Sequence, residues 1–167
     1  YEHALGRWVL VADVDEVLTW PGCHGQGLGG LVKKAERLGL NRVFTPMIDV
    51  YGSVPCFEME PYQLGEPFSK WANLIDPFEK MKHGFQKGRF FLFGGPRMRF
   101  SKPSVRPPIM SKQKLYFVED GGFKSSDPHF DNYVLPSPLV VPFLHYKFLP
   151  DFEEKIDRAI LEGQHWN

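Results

Sequence analysis

Asp13-Val14-Asp15-Glu16 places three carboxylates within four residues, directly after an apolar run. Successive strand residues point to opposite faces, so an extended backbone here projects Asp13 and Asp15 together and turns Val14 back into the protein. Two carboxylates aimed at one spot suit a hard divalent cation, Mg²⁺ or Mn²⁺, whose remaining positions are taken by water and by phosphate oxygens of a ligand. The bland alternative is an acidic turn that ends a strand, since Asp favours turns through hydrogen bonds to its own backbone. His145 alternates with Phe143 and Lys147 in a later apolar run. It is a candidate third metal ligand as neutral imidazole, or a core histidine bonded to backbone.

Cationic groups suited to a diphosphate follow the turn Gly94-Gly95-Pro96. Arg97 and Arg99 are two residues apart, a spacing that sets both guanidinium forks on one side of a strand. Lys112 offers a similar charge, and surface ion pairing is the competing reading for all three. His24, close behind the acidic run in a glycine-rich stretch, is a weaker candidate.

The elements that must position these groups are readable in outline. Arg7 to Asp13, RWVLVAD, has the continuous apolar and β-branched character of a strand buried on both faces. After the glycine-rich stretch from Pro21 to Gly30, Leu28, Leu31, Val32, Ala35 and Leu38 recur at helical spacing, and Gly39 is a natural stop. Asn41 to Val50 predicts a second strand, made an edge or bulged one by Pro46. Strand, helix, strand in that order predicts a parallel right-handed crossover. Tyr51 to Lys87 reads as a long excursion with a short helix near Phe68 to Leu74. Arg89 to Phe93, Lys114 to Val118 and Leu139 to Phe148 supply further strands. The proline- and serine-rich stretches 101–111 and 125–137 read as surface loops. An amphipathic helix starts at Pro150 or Asp151, with Phe152, Ile156, Ala159 and Ile160 on its apolar face.

Composition narrows the classes. With 167 residues, 43% of them hydrophobic, the chain can build one sizeable core but not two independent ones, so residues 1–167 are expected to form a single domain. Twenty basic and twenty acidic residues leave no net field to attract nucleic acid or an anionic membrane. Cys23 and Cys56 form no Cys-x-x-Cys pair, which suits reduced thiols and a cytoplasmic setting. No apolar run reaches the roughly 20 residues of a membrane-spanning helix.

The segment WVLVADVDEVL resembles the Trp-x-x-x-x-Asp-x-Asp-Glu signature of family 2 glycosyltransferases, in their bacterial glycosyltransferase-2-like branch. PMIDVYG, GGPRMRF, MSKQKLYFV, SSDPHF and FLHYKFLPDF are similar, in the same order, to blocks of that branch. The resemblance covers most of the chain. It implies an α/β architecture, a partial GT-A-like mixed sheet flanked by helices, whose N-terminal nucleotide-binding part is largely missing, because only about a dozen residues precede the Asp-x-Asp. It further implies metal-dependent transfer of a sugar from a nucleotide-sugar donor to a carbohydrate or glycan-like acceptor. His145 would complete the metal shell or touch the diphosphate, and His129 would lie at the site.

Inverting transfer needs a base to deprotonate the acceptor hydroxyl, and Asp120, Asp127 and Glu119 are the carboxylate candidates beside His129. Asp49 is a candidate for binding the sugar or the acceptor, alongside Arg97 and Lys112 for the donor. Two other classes compete. Asp13 as nucleophile with Asp15 as acid and base would make a phosphatase or phosphotransferase of the haloacid dehalogenase type, although that chemistry favours a small turn where Glu16-Val17-Leu18 stands. An aromatic content of 15% would also serve a carbohydrate-binding domain without turnover.

Overall fold

The computed structural model describes residues 2–86, 89–100, 109–119 and 137–163. The chain is mixed α/β. In order it forms β1 (Trp8–Leu10), β2 (Glu16–Leu18), α1 (Cys23–Arg37), β3 (Arg42–Val43), β4 (Met47–Tyr51), β5 (Leu74–Ile75), β6 (Lys82–Gln86), β7 (Arg89–Phe93), α2 (Pro96–Phe100), β8 (Leu115–Phe117), β9 (Phe143–His145) and α3 (Phe152–Leu161). Among the described residues the strands make three sheets, ordered β1-β8-β3, β2-β9-β4-β5 and β6-β7.

The first apolar run does not continue to the acidic residues. β1 stops at Leu10 and is a half-buried edge strand, not one buried on both faces. Its partner β8 is antiparallel to both β1 and β3, so β1 and β3 run the same way with β8 between them. The expected crossover thus exists in direction, but its two strands are not neighbours. α1 packs over this sheet through Leu31 and Ala35, which join Val43, Leu115, Leu139 and Val141 in a dry cluster. The helix also begins earlier than its apolar period suggests. The glycine-rich stretch is helical from Cys23, with a break at Gly27, whose φ of +58° suits glycine.

Pro46 separates β3 from β4 and marks where the chain changes sheets. β3 ends at Val43 beside β8, whereas β4 lies inside the second sheet, parallel to β9 and antiparallel to β5. Proline has no N–H to give a ladder, so a switch point tolerates it where a continuous strand would not. Its carbonyl still accepts the N–H of Phe143 at 2.9 Å.

Four other expectations change. Phe68 to Leu74 forms only a 3-10 turn, Phe68–Lys70, after which Trp71 and Ala72 are buried with Val50, Tyr146 and Leu149. The excursion contains β6, whose Lys-His-Gly-Phe-Gln composition carries little strand signal and which is held by pairing with β7. The end of the 101–111 loop is core: Met110 and Ser111 are buried, and Met110 bridges Leu92 and Met47 through backbone hydrogen bonds of 2.8 Å each. α3 begins after Asp151 as expected, yet Ile156, Ile160 and Leu161 are exposed. Among the described residues no helix is long and apolar enough to cross a membrane.

Candidate functional site

The register of the second sheet assembles a row of charged side chains. Glu16 of β2 lies opposite His145 of β9, and Asp49 of β4 is paired with His145 from the other side. Residues directly opposite share a face, so three polar groups from distant parts of the chain stand in line across three strands. Asp49 is fully buried, and the Nδ1 of His145 lies 2.7 Å from its Oδ1. The other oxygen of Asp49 accepts the Nε–H of Arg97 at 2.6 Å. On the far side of the imidazole, Nε2 is 3.5 Å from Oδ2 of Asp15, whose side chain is 28% exposed.

Local backbone makes this reach possible. Asp13 to Glu16 is a turn closed by the Glu16 N–H to the Asp13 carbonyl at 3.1 Å. Strand alternation therefore does not apply: Val14 is completely exposed, not turned inward, and the two aspartates diverge. Asp15 goes to His145. Asp13, 69% exposed, goes to the ammonium of Lys114 at 3.2 Å. Tyr146 donates its N–H to the Asp15 carbonyl at 2.8 Å, which ties the turn to the end of β9. Gly95, beside Asp49, has a φ of +73°, a left-handed conformation that favours glycine.

Acids and bases alternate along the row Asp15, His145, Asp49, Arg97. Burial alone pulls the His145 pKa down, but hydrogen bonds and attraction from Asp15 and Asp49 outweigh it and leave the pKa above its ordinary value. Burial pushes Asp49 up, while His145 and Arg97 more than reverse this, so its carboxyl stays ionised well below the usual range. The His145 hydrogen bond is the largest influence on Asp15 and brings it down to about 2.

A second buried group adjoins the first. Glu16 accepts Lys112 at 3.1 Å on one oxygen, and its other oxygen accepts both a close contact from Lys114 and the Asp13 N–H, the latter at 3.0 Å. Burial raises the Glu16 pKa, but the Asp13 N–H and the two ammoniums bring it below its ordinary value. Lys112 is lowered, chiefly by burial, despite Glu16. Both values fall, for different reasons: the Glu16 carboxylate gains from the Asp13 N–H and the neighbouring ammoniums, whereas the Lys112 ammonium loses more to burial than Glu16 returns.

The structure thus gathers Asp15, His145, Asp49 and Arg97 and sends other candidates elsewhere. Arg97 and Arg99 lie on α2, not on a strand, and two residues on a helix are far apart in direction. Arg99 pairs instead with Asp76 at 2.5 Å and lies over the Tyr51 ring. Lys112, expected to meet a donor, is 4% exposed against Glu16. Asp49, expected to meet sugar or acceptor, is sealed behind His145 and Arg97. Glu119 accepts from Asn41 at 3.1 Å, and His24 is exposed on α1. Asp120, Asp127 and His129 lie outside the described residues. Glu16 and Lys114 were not singled out from sequence. The signal for them was the third acid of the run and the alternation Lys112, Lys114, which puts two ammoniums on one face ahead of β8.

Among the described residues no group of three or more His, Cys, Asp and Glu side chains is arranged to hold a metal ion. Asp15 Oδ2 and His145 Nε2 make a pair of donors, with the buried Asp49 fixing the ring behind them. One carboxylate oxygen and one neutral imidazole nitrogen could supply two positions to a divalent ion whose remaining positions are taken by water or substrate phosphates, a set that suits a transition ion better than Mg²⁺. Ligating histidines characteristically give their second N–H to a carboxylate, the place Asp49 occupies. Comparisons with protein-family models, curated proteins and solved structures give no match.

Proposed function

We propose that this chain carries the metal and acceptor side of a glycosyltransferase that moves a sugar from a nucleotide-sugar donor to a carbohydrate or glycan-like acceptor. The observation that carries the reading is the Asp49–His145–Asp15 line: a buried carboxylate holds Nδ1, so Nε2 faces a partly exposed carboxylate at 3.5 Å. Asp15 and His145 would hold a Mn²⁺ or Mg²⁺ ion, whose charge supplies neutralisation of the departing nucleoside diphosphate. Asp49 fixes the tautomer and orientation of the ring. Arg97, drawn to the same carboxylate and 20% exposed, keeps a cation beside the row, where developing negative charge is stabilised. The base that deprotonates the acceptor hydroxyl is sought among Asp120, Asp127 and His129. The ordered resemblance of WVLVADVDEVL, PMIDVYG, GGPRMRF and FLHYKFLPDF supports the same assignment, since Asp15, Asp49, Arg97 and His145 each come from one of those blocks.

The phosphoryl-transfer alternative has less support, because it needs Asp13 and Asp15 to serve one phosphorus atom and the two carboxylates diverge to Lys114 and His145. Calorimetry with Mn²⁺ and a panel of nucleotide sugars tests the reading. Metal-dependent donor binding that is lost in Asp15→Ala is expected. Donor binding indifferent to metal and to Asp15→Ala would exclude it, and a beryllium fluoride adduct on Asp13 would favour phosphoryl transfer.

A further inference from the structure

We infer that the two aspartates of the Asp-x-Asp divide the work: Asp15 is the ligand, and Asp13 is a tether that Lys114 and Glu16 use to hold the turn in its binding shape. The inference rests on the metal-site reading above and assigns positioning roles to Asp13, Glu16 and Lys114.

The tether is built from buried parts. Lys114 is 2% exposed, and its ammonium meets Glu16 and Asp13 at once while lying 5.5 Å from the centre of the Phe143 ring. Its backbone is fixed on both sides, the N–H donating to Thr45 Oγ1 at 2.8 Å and the carbonyl accepting the Val11 N–H at 2.9 Å. Thr45 in turn donates its hydroxyl to the Lys112 carbonyl at 3.1 Å. Glu16 reaches back to the Asp13 N–H, so each end of the four-residue turn is bonded to the other through both backbone and side chain. The exposed turn therefore hangs on a rigid internal strut. A partner that orients a metal ligand commonly governs affinity by about 10- to 100-fold.

A tether and a competitor predict opposite signs. If Lys114 merely occupied a carboxylate that would otherwise bind the ion, its removal would leave metal affinity unchanged or raise it. If Lys114 orders the turn, its removal lowers affinity. Lys114→Met tests the point, because it removes the ammonium from both Asp13 and Glu16 while Glu16 keeps Lys112 as its counter-ion.

Mn²⁺ alone is titrated into the full chain by calorimetry, with amide hydrogen exchange of residues 13–16 measured without metal. Expected for Lys114→Met are roughly tenfold weaker Mn²⁺ binding and faster exchange at Asp13, with recovery of both in Lys114→Arg. Unchanged or tighter Mn²⁺ binding overturns the inference while leaving the metal site standing, and so does unchanged exchange. No Mn²⁺ uptake by the wild-type chain overturns the metal reading and the positioning role together, whatever the exchange shows. Should Lys114→Met fail to fold, Asp13→Asn cuts the same link from the exposed side. It is expected to speed exchange at Glu16 and weaken Mn²⁺, and an unaltered exchange pattern there is equally fatal.

Discussion

Replacing Asp49 by Asn keeps the shape of a fully buried side chain and removes its charge from between the His145 ring and the Arg97 guanidinium. If the amide oxygen stays on His145 Nδ1–H, the amide nitrogen faces the Arg97 Nε–H, which puts donor against donor where a 2.6 Å ion pair now stands. Breaking one partner of a buried ion pair costs about 3–5 kcal/mol. The lower end applies here, because Arg97 is 20% exposed and can turn partly to water, so about 3 kcal/mol is expected. For a chain of this size that corresponds to a fall in Tm of roughly 6–12 °C. Urea unfolding followed by tryptophan fluorescence measures the loss. Glu154→Gln is the control: it and its partner Arg158 are both exposed, and exposed pairs contribute about 0–1 kcal/mol. Asp49→Asn should also lower the His145 pKa read by NMR, because one of its two carboxylate partners becomes neutral. An Asp49→Asn chain within about 0.5 kcal/mol of wild type, with His145 titrating as before, would refute the claim that this line of charges is coupled.

The Asp15–His145 contact has its own pH window. His145, raised in the folded chain, contributes stability that is full below its unfolded value of about 6.5 and lost as pH rises through the folded value. Asp15, lowered to about 2, contributes stability present above 3.8 and lost as pH falls towards 2. The difference in urea midpoint between wild type and Asp15→Asn is therefore expected to be larger near about pH 5 than near about pH 9, and equal differences would contradict the pairing. In the first core, Leu115 is wholly buried among Leu31, Val43 and Val141, so Leu115→Ala should cost about 2–5 kcal/mol in the same assay. A loss below about 1 kcal/mol would mean that the cluster closes around the gap.

Periodic and sharply punctuated stretches were legible in the sequence. The helical spacing of Leu31, Val32 and Ala35, the apolar run Arg89 to Phe93, and the tail helix after Asp151 each follow from local pattern, because the period of a helix or strand is set by residues a few positions apart. The excursion's β6 was not legible, since Lys82 to Gln86 becomes a strand only by pairing with β7. Likewise the stretch around Met110 and Ser111 has loop composition, and it is buried because Leu92 and Met47 take its backbone hydrogen bonds. At the site, the residue types were readable, and Asp15, Asp49, Arg97 and His145 do come together. Their roles were not: Asp49 was expected to touch sugar or acceptor and is buried against His145 and Arg97, and the arginines were expected together and part company on a helix.

The opening acidic run shows where the division falls. That Asp13, Asp15 and Glu16 sit in a polar interruption after an apolar strand is a property of composition and order, and no partner is needed to decide it. Which carboxylate faces which cation depends on contacts between residues about a hundred positions apart, Asp13 with Lys114, Glu16 with Lys112 and Lys114, and Asp15 with His145. A turn in place of an extended strand sends neighbouring side chains in different directions, and only the strands packed around that turn determine what each one meets.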